Sequence, residues 1–313
     1  MVSRVNLVIE PTEVKEKIIT NIKETMTKRE SNGLLVVFSG QLDSFTTAIL
    51  AIEARGLEGV KLIIISDVPK LRRAEISSIA TKMLAIKNEK IISFNINKIS
   101  KQFDAVENLL PEIGGGGIPI SHQHNINHLL LQTDLVRKIV EQKTFTYVGK
   151  SKSDQEKFFQ QIIAQNKVRK RLKIILAYLI AERENLLLVS KTNKTEWLTG
   201  LFTTFGYGHA ADIMPLGDLY RTQVLQLAQY LNVPKEIRDR AYTDIIPGVQ
   251  NKYQYFFELE SDAVDNILIR IQASWQLRKI SDELEISLEK IERVNHFYQV
   301  SNFQRNLPII PKI

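Results

Sequence analysis

Apolar residues along this chain fall into two kinds of run. Short blocks of consecutive β-prone residues, Leu34–Phe38, Val60–Ser66, Lys90–Ile96 and Leu186–Ser190, have the length and composition of buried strands. Between and after them the apolar positions recur every three to four residues. Val14–Lys28 carries Val14, Ile18, Ile19, Ile22 and Met26 on one helical face. Phe45–Arg55, closed by Gly56, and Arg72–Ile86 follow the same spacing, as do Ile99–Leu110, Ile126–Glu141 and Tyr220–Leu231. Asp154–Leu179 reads as one long helix or two, and Asp262–Ile271, Ile280–Leu284 and Ser287–Ser301 as a helical tail. Pro111–Pro119, with Gly114–Gly117, and Ala241–Tyr253 read as loops.

Strands that are apolar throughout bury both faces, and here they alternate with helices. That combination predicts an α/β fold with a doubly wound, Rossmann-like parallel sheet covered by helices on both sides. No repeat and no clear linker divides the 313 residues, so a single domain is expected over 1–313, with the helical tail at 262–313.

Composition adds exclusions. The 44% hydrophobic and 25% charged content is that of a soluble globular protein, and the absence of cysteine removes disulfides and thiolate chemistry. No run of about 18 apolar residues could span a membrane, and Met1–Pro11 lacks the apolar core of a secretory signal; a cytoplasmic protein is expected. The net charge of +7 favours anionic partners, but outside Lys167–Lys173 the basic residues are scattered. A solvated basic surface explains them better than a nucleic-acid stripe, so neither nucleic acid nor membrane is expected as a partner.

The chemistry concentrates at two strand ends. Leu34–Phe38 stops at Ser39-Gly40-Gln41-Leu42-Asp43-Ser44 and passes directly into a helix. A strand feeding a helix through a tight polar turn aims free N–H groups and a positive helix end at one point, which suits a phosphate. The carboxylate of Asp43 beside such a site makes sense with Mg²⁺ between them. Leu186–Ser190 runs into a second polar loop, Lys191–Trp197, and in open α/β sheets ligands bind at that edge.

Taken together, these motifs resemble the N-type ATP pyrophosphatases, specifically the ammonia-dependent NAD⁺ synthetases. Ser39–Ser44 stands where that family has Ser-Gly-Gly-x-Asp-Ser, and Lys191-Thr192-Asn193-Lys194-Thr195-Glu196 is similar to its Thr-x-Asn-Lys-Ser-Glu. Gly200–Thr203, the run Ala211–Val224, Arg171-Leu172-Lys173 with Tyr178, and Ser301–Arg305 follow in the family's order. The resemblance covers most of the chain except about 100–160, and residues 111–160 look like an insertion relative to the family. It implies ATP and Mg²⁺ as cofactors, an acyl-adenylate mechanism on deamido-NAD⁺ with free ammonia, and a homodimer. It implies that Ser39, Gly40, Gln41, Asp43, Ser44, Thr192 and Arg221 bind ATP, and that Asp43 and Glu196 hold the metal. Asp43, Glu196 and Arg221 would carry catalysis, while Arg171, Thr203, Tyr207, His209 and Asp212 would meet the acid.

There are departures. Gln41 stands at the family's second glycine, where a left-handed backbone would cost a side chain about 1 kcal/mol. Arg221 replaces a lysine, a change from point charge to planar fork. Tyr207 or His209 falls where an aspartate is expected, and Asn251-Lys252 replaces Asp-Glu. His122, His124 and His128 lack a cysteine or carboxylate among them and read as a polar loop rather than a metal site, while Trp197 and Trp275 read as core. Three readings stay open: an NAD⁺ synthetase, an amidoligase of the same mechanism for a different carboxylic acid, and a nucleotide-binding regulatory or scaffold protein without turnover.

Overall fold

The computed structural model describes residues 6–66, 70–96, 99, 154–239, 251–308 and 310. The expected loop 111–119, the helix 126–141, nearly all of the helix 99–110 and most of the expected insertion lie outside these residues.

Four strands, β1 (Gly33–Val37), β2 (Val60–Ser66), β3 (Ile91–Asn95) and β4 (Leu186–Val189), form a sheet in the order β3-β2-β1-β4. All three pairings are parallel, with Leu34 opposite Val60 on one side and Leu187 on the other. The two-residue side-chain period sorts the strands onto two faces. Leu34, Val36, Leu62, Ile64, Leu187 and Val189 join one core with residues of α1 (Pro11–Lys28), α2 (Leu42–Arg55) and α3 (Lys70–Met83). Leu35, Ile63, Ile65 and Leu188 face the other core, built on Leu172, Ala177 and Ile180 of α4 (Asp154–Glu184). Full burial of each such aliphatic side chain contributes about 1.5–3 kcal/mol, so β1, β2 and β4 are held from both faces, while the edge strand β3 is only partly covered. The fold is the doubly wound α/β sheet that the sequence predicts.

α4 is one continuous helix of 31 residues, and α2 begins three residues before the expected Phe45. Sequence reading missed α5 (Lys194–Thr199), which lies in the second polar loop. After α6 (Arg221–Tyr230) and the short α7 (Lys235–Arg238), α8 (Lys252–Phe257) begins inside the stretch read as a loop. There Asn251 caps the helix by accepting from the N–H groups of Tyr253 and Gln254. The helical tail comprises α9 (Ser261–Gln272), α10 (Leu277–Leu284) and α11 (Leu288–Arg305). Its apolar faces pack with α5 and α8 in a third core around Tyr253, Phe256, Phe257 and Phe297.

From β1 the chain progresses through α2 to β2 and then β3, whereas β4 pairs with the opposite edge of β1. The C-terminal ends of β1 and β4 therefore flank the topological switch point, where a crevice opens in sheets of this kind.

Candidate functional site

The turn after β1 is knit by its own hydroxyls. Ser44 Oγ accepts from the N–H groups of Ser39 and Gln41, both at 3.2 Å, and donates to the Gln41 carbonyl at 2.9 Å. Gly40 takes the left-handed backbone (φ 73°), which is why glycine stands there. Gln41 has φ −98° and ψ 166°, ordinary extended backbone, so the strain expected at this position is absent. The first N–H groups of α2 follow at once, with Asp43 buried among them.

The turn after β4 is tied to the first. Lys191 donates to Ser39 Oγ at 3.3 Å. Asn193 caps α5 by accepting from Glu196 N at 2.9 Å, while its own N–H donates to Glu196 Oε2 at 3.4 Å. The Asn193 side-chain amide donates to Asp43 Oδ1 at 3.4 Å, so one residue holds the acids of both turns. Asp43 Oδ1 also lies 3.6 Å from Nη1 of the buried Arg221, and Glu196 Oε1 receives the ammonium of Lys252. Thr192 sits buried beneath this layer, bonded to Ser190. Gly208 passes so close that a Cβ there would stand 2.7 Å from Thr192 Oγ1.

A second layer fixes Arg221. Its backbone N–H donates to Thr195 Oγ1 at 2.8 Å, and that hydroxyl in turn donates to Asp265. Asp265 also accepts from Thr222 N and Oγ1, at 2.7 and 2.6 Å. Burial pushes the Asp265 carboxyl up to about 6, against the opposing pull of the Thr195 and Thr222 hydrogen bonds. Burial likewise lowers the Lys252 ammonium from its ordinary range, while Glu196 and Asp43 pull it back.

The residues expected to meet the acid are engaged with the scaffold. Tyr207 donates to the Val189 carbonyl at 2.6 Å, at the end of β4, and burial holds its phenol far above the usual range. His209 lies in a stack with Trp197 and Phe202. It accepts at Nδ1 from Phe205 N and therefore carries its proton on Nε2, 3.1 Å from the Gln304 carbonyl; burial lowers its pKa. Asp212 accepts from Leu188 N at 2.7 Å and from the Tyr178 hydroxyl at 3.3 Å. Arg171 donates to the Thr204 carbonyl at 3.1 Å, and buried Thr203 opens the following turn by accepting from Gly206 N.

The sequence model of the NAD synthase family matches residues 120–308, more than half of the chain. The chain belongs to that family. It is 27% identical over 305 residues to the NH₃-dependent NAD⁺ synthetase of Thermotoga maritima, covering 95% of this chain and 98% of that one. To the enzyme of the same name from Methanocaldococcus jannaschii it is 25% identical, over 96% and 97% of the two chains. The fold is shared with a structure described as NMN synthetase from Francisella tularensis, at TM-score 0.67 and 20% identity, covering 98% and 100%. It is shared also with the NH₃-dependent NAD synthetase of Campylobacter jejuni, at TM-score 0.62 and 16% identity, covering 97% and 100%.

Within this NAD synthase fold, Ser39, Gly40, Gln41, Asp43, Ser44, Thr192, Glu196 and Arg221 come together at the switch point, and Tyr207 reaches the same edge from the far wall. His209 and Asp212 point their polar atoms into the scaffold, and Arg171 is anchored there through its Nε. Asp265 did not stand out in the sequence, while Lys191, Asn193 and Thr195 were read only as part of the second loop's motif and Lys252 only as a departure from the family's acid. For Asn193 a signal existed in the three-residue spacing to Glu196, a capping-box pattern. The expected histidine cluster lies outside the described residues, and among the described residues no group of three or more His, Asp or Glu could hold a metal. Asp43, a buried carboxylate at a helix start with an amide and a guanidinium beside it, fits one divalent cation arriving with a phosphate. Glu196 fits less well, because one of its oxygens already carries an ammonium.

Proposed function

We propose that this protein is an ammonia-dependent NAD⁺ synthetase. The carboxylate of deamido-NAD⁺ attacks the α-phosphorus of ATP, the bond to the bridging oxygen breaks, and pyrophosphate leaves. Ammonia then adds to the acyl carbon of the adenylate, AMP departs with the C–O bonding pair, and loss of a proton leaves the amide. The observation that carries this reading is the convergence of Asp43, Asn193, Arg221 and Glu196 on the crevice between β1 and β4.

The first-turn N–H groups of α2, with the Ser39 hydroxyl, take the triphosphate end of ATP, in a turn that the Ser44 hydroxyl holds in shape. Arg221, preset by Thr195, places its guanidinium beside the transferring phosphoryl group, and Lys191 adds a second charge over Ser39. Mg²⁺ held at Asp43 would neutralise charge on the departing pyrophosphate. Thr203, Tyr207 and Arg171 border the place for the acid, whose wall His209 and Asp212 stiffen through Gln304 and Leu188. Exposed Ile175 and Leu179, one turn apart on α4, support a homodimer. Among the described residues no helix is long and apolar enough to cross a membrane, and we place the enzyme in the cytoplasm, where ATP is abundant.

The test is AMP and amide formation with ATP, ammonium and a panel of acids that includes deamido-NAD⁺ and nicotinate mononucleotide. Turnover with deamido-NAD⁺ is expected. Turnover with another acid alone would move the protein to a different amidoligase, and nucleotide binding without AMP release under any acid would remove the enzyme reading.

A further inference from the structure

Lys252 is among the largest fully buried side chains, with only 1% of its surface exposed, and its ammonium lies against Glu196 Oε1. Its position is fixed from both ends. Asn251 caps the helix that Lys252 opens, and the ammonium stands 5.1 Å from the centre of the Tyr253 ring. The other Glu196 oxygen faces the Asn193 N–H, and Asn193 also holds Asp43. Asp43 thus already faces the guanidinium of Arg221 and Glu196 the ammonium of Lys252, so each acid has a cation beside it before any metal arrives. A divalent ion bound at Glu196 would stand next to a fixed ammonium in a buried setting, where like charges repel strongly.

Resting on the reading of this crevice as an ATP site, we infer that Lys252 is a resident cation that takes the place of a metal ion at Glu196, leaving a single divalent cation, at Asp43, to enter with the nucleotide. Lys252 is a positioning residue here. It holds the Glu196 carboxylate, and through the α5 cap the Asn193 amide, in the orientation that meets Asp43. A lysine supplies this charge permanently, whereas a metal would have to be bound from solution.

The experiment counts Mn²⁺ bound per chain by electron paramagnetic resonance, using the full-length protein and the non-cleavable α,β-methylene analogue of ATP. Calorimetry follows binding of the analogue in parallel. The wild type should bind the nucleotide with one Mn²⁺ per chain, and Glu196→Gln should leave that count at one. Lys252→Gln, which exposes Glu196 to a metal, should raise it to two. Two Mn²⁺ in the wild type, a count that falls in Glu196→Gln, or a count that stays at one in Lys252→Gln would each overturn the inference. Should Lys252→Gln fail to fold, the wild type and Glu196→Gln decide alone. A wild-type chain that binds no analogue at all would overturn the ATP reading and this inference with it, and calorimetry distinguishes that outcome from a wrong metal count.

Discussion

The β1–α2 turn is closed by its own residues, Ser39, Gln41 and Ser44, whereas the β4–α5 turn adds to its own Asn193–Glu196 cap groups from far along the chain: Asp43, Arg221, Lys252 and Asp265. A turn closed locally keeps its shape whatever happens elsewhere, so it can serve as a constant phosphate site. A turn assembled from distant partners changes when any of them changes. The acceptor wall behaves like the second case, because Tyr207, His209 and Asp212 each bond to backbone of another element.

The largest effect is expected where the two turns share an acid. Asp43→Asn keeps the shape but removes the charge facing Arg221 and the metal position. Turnover measured as AMP release should fall about a thousandfold. If the variant keeps wild-type rates, Asp43 is not part of the chemistry. Lys252→Met comes next, because it leaves the largely covered Glu196 carboxylate without its cation. A denaturant titration without metal should show a loss of about 4 kcal/mol, and a loss near zero would mean that Glu196 needs no partner.

Asp265 sharpens the contrast through pH. Its native pKa of about 6 lies above the ordinary 3.8, so the folded state prefers the protonated form. Below about pH 4 the group adds no cost. As pH rises towards 7 it ionises in a buried place, and its contribution to stability falls. Relative to Asp265→Asn, the wild type should lose about 2 kcal/mol between pH 4 and pH 7 in matched denaturant titrations. A difference that does not vary with pH would show that Asp265 keeps an ordinary pKa. The smallest effect is expected at the wall: Tyr207→Phe removes one hydrogen bond to Val189, for about 1 kcal/mol of stability. That variant should raise KM for the acid and leave ATP affinity alone, and a change in ATP affinity instead would place Tyr207 on the nucleotide side.

The same contrast decides what could be read from the sequence. The strands and the Ser39–Ser44 turn were legible because each depends on a contiguous run: Leu34–Phe38 is apolar throughout, and Gly40 and Ser44 act on residues within the turn. The second turn was legible as a motif but not as a structure. Six residues from Lys194 to Thr199 show no apolar period, and α5 exists because Asn193 and Glu196 cap it and the tail packs on it. α8 was hidden for a related reason: its apolar stripe, Tyr253, Phe256 and Phe257, spans barely one turn, and the helix depends on the Asn251 cap and on packing against the tail. The expected strain at Gln41 came from assigning the left-handed backbone to the wrong residue of the pair, and Gly40 carries it. Lys252 was legible as a departure from the family's acid but not as the partner of Glu196, which only the fold brings to it, and only such a partner makes a buried ammonium tolerable.

The direct measurement is exchange of labelled pyrophosphate into ATP with ammonium absent. Formation of an acyl-adenylate in this crevice requires exchange that depends on deamido-NAD⁺, needs no ammonium and is lost in Asp43→Asn. Tight ATP binding with no exchange in the presence of deamido-NAD⁺ or any other acid would contradict it.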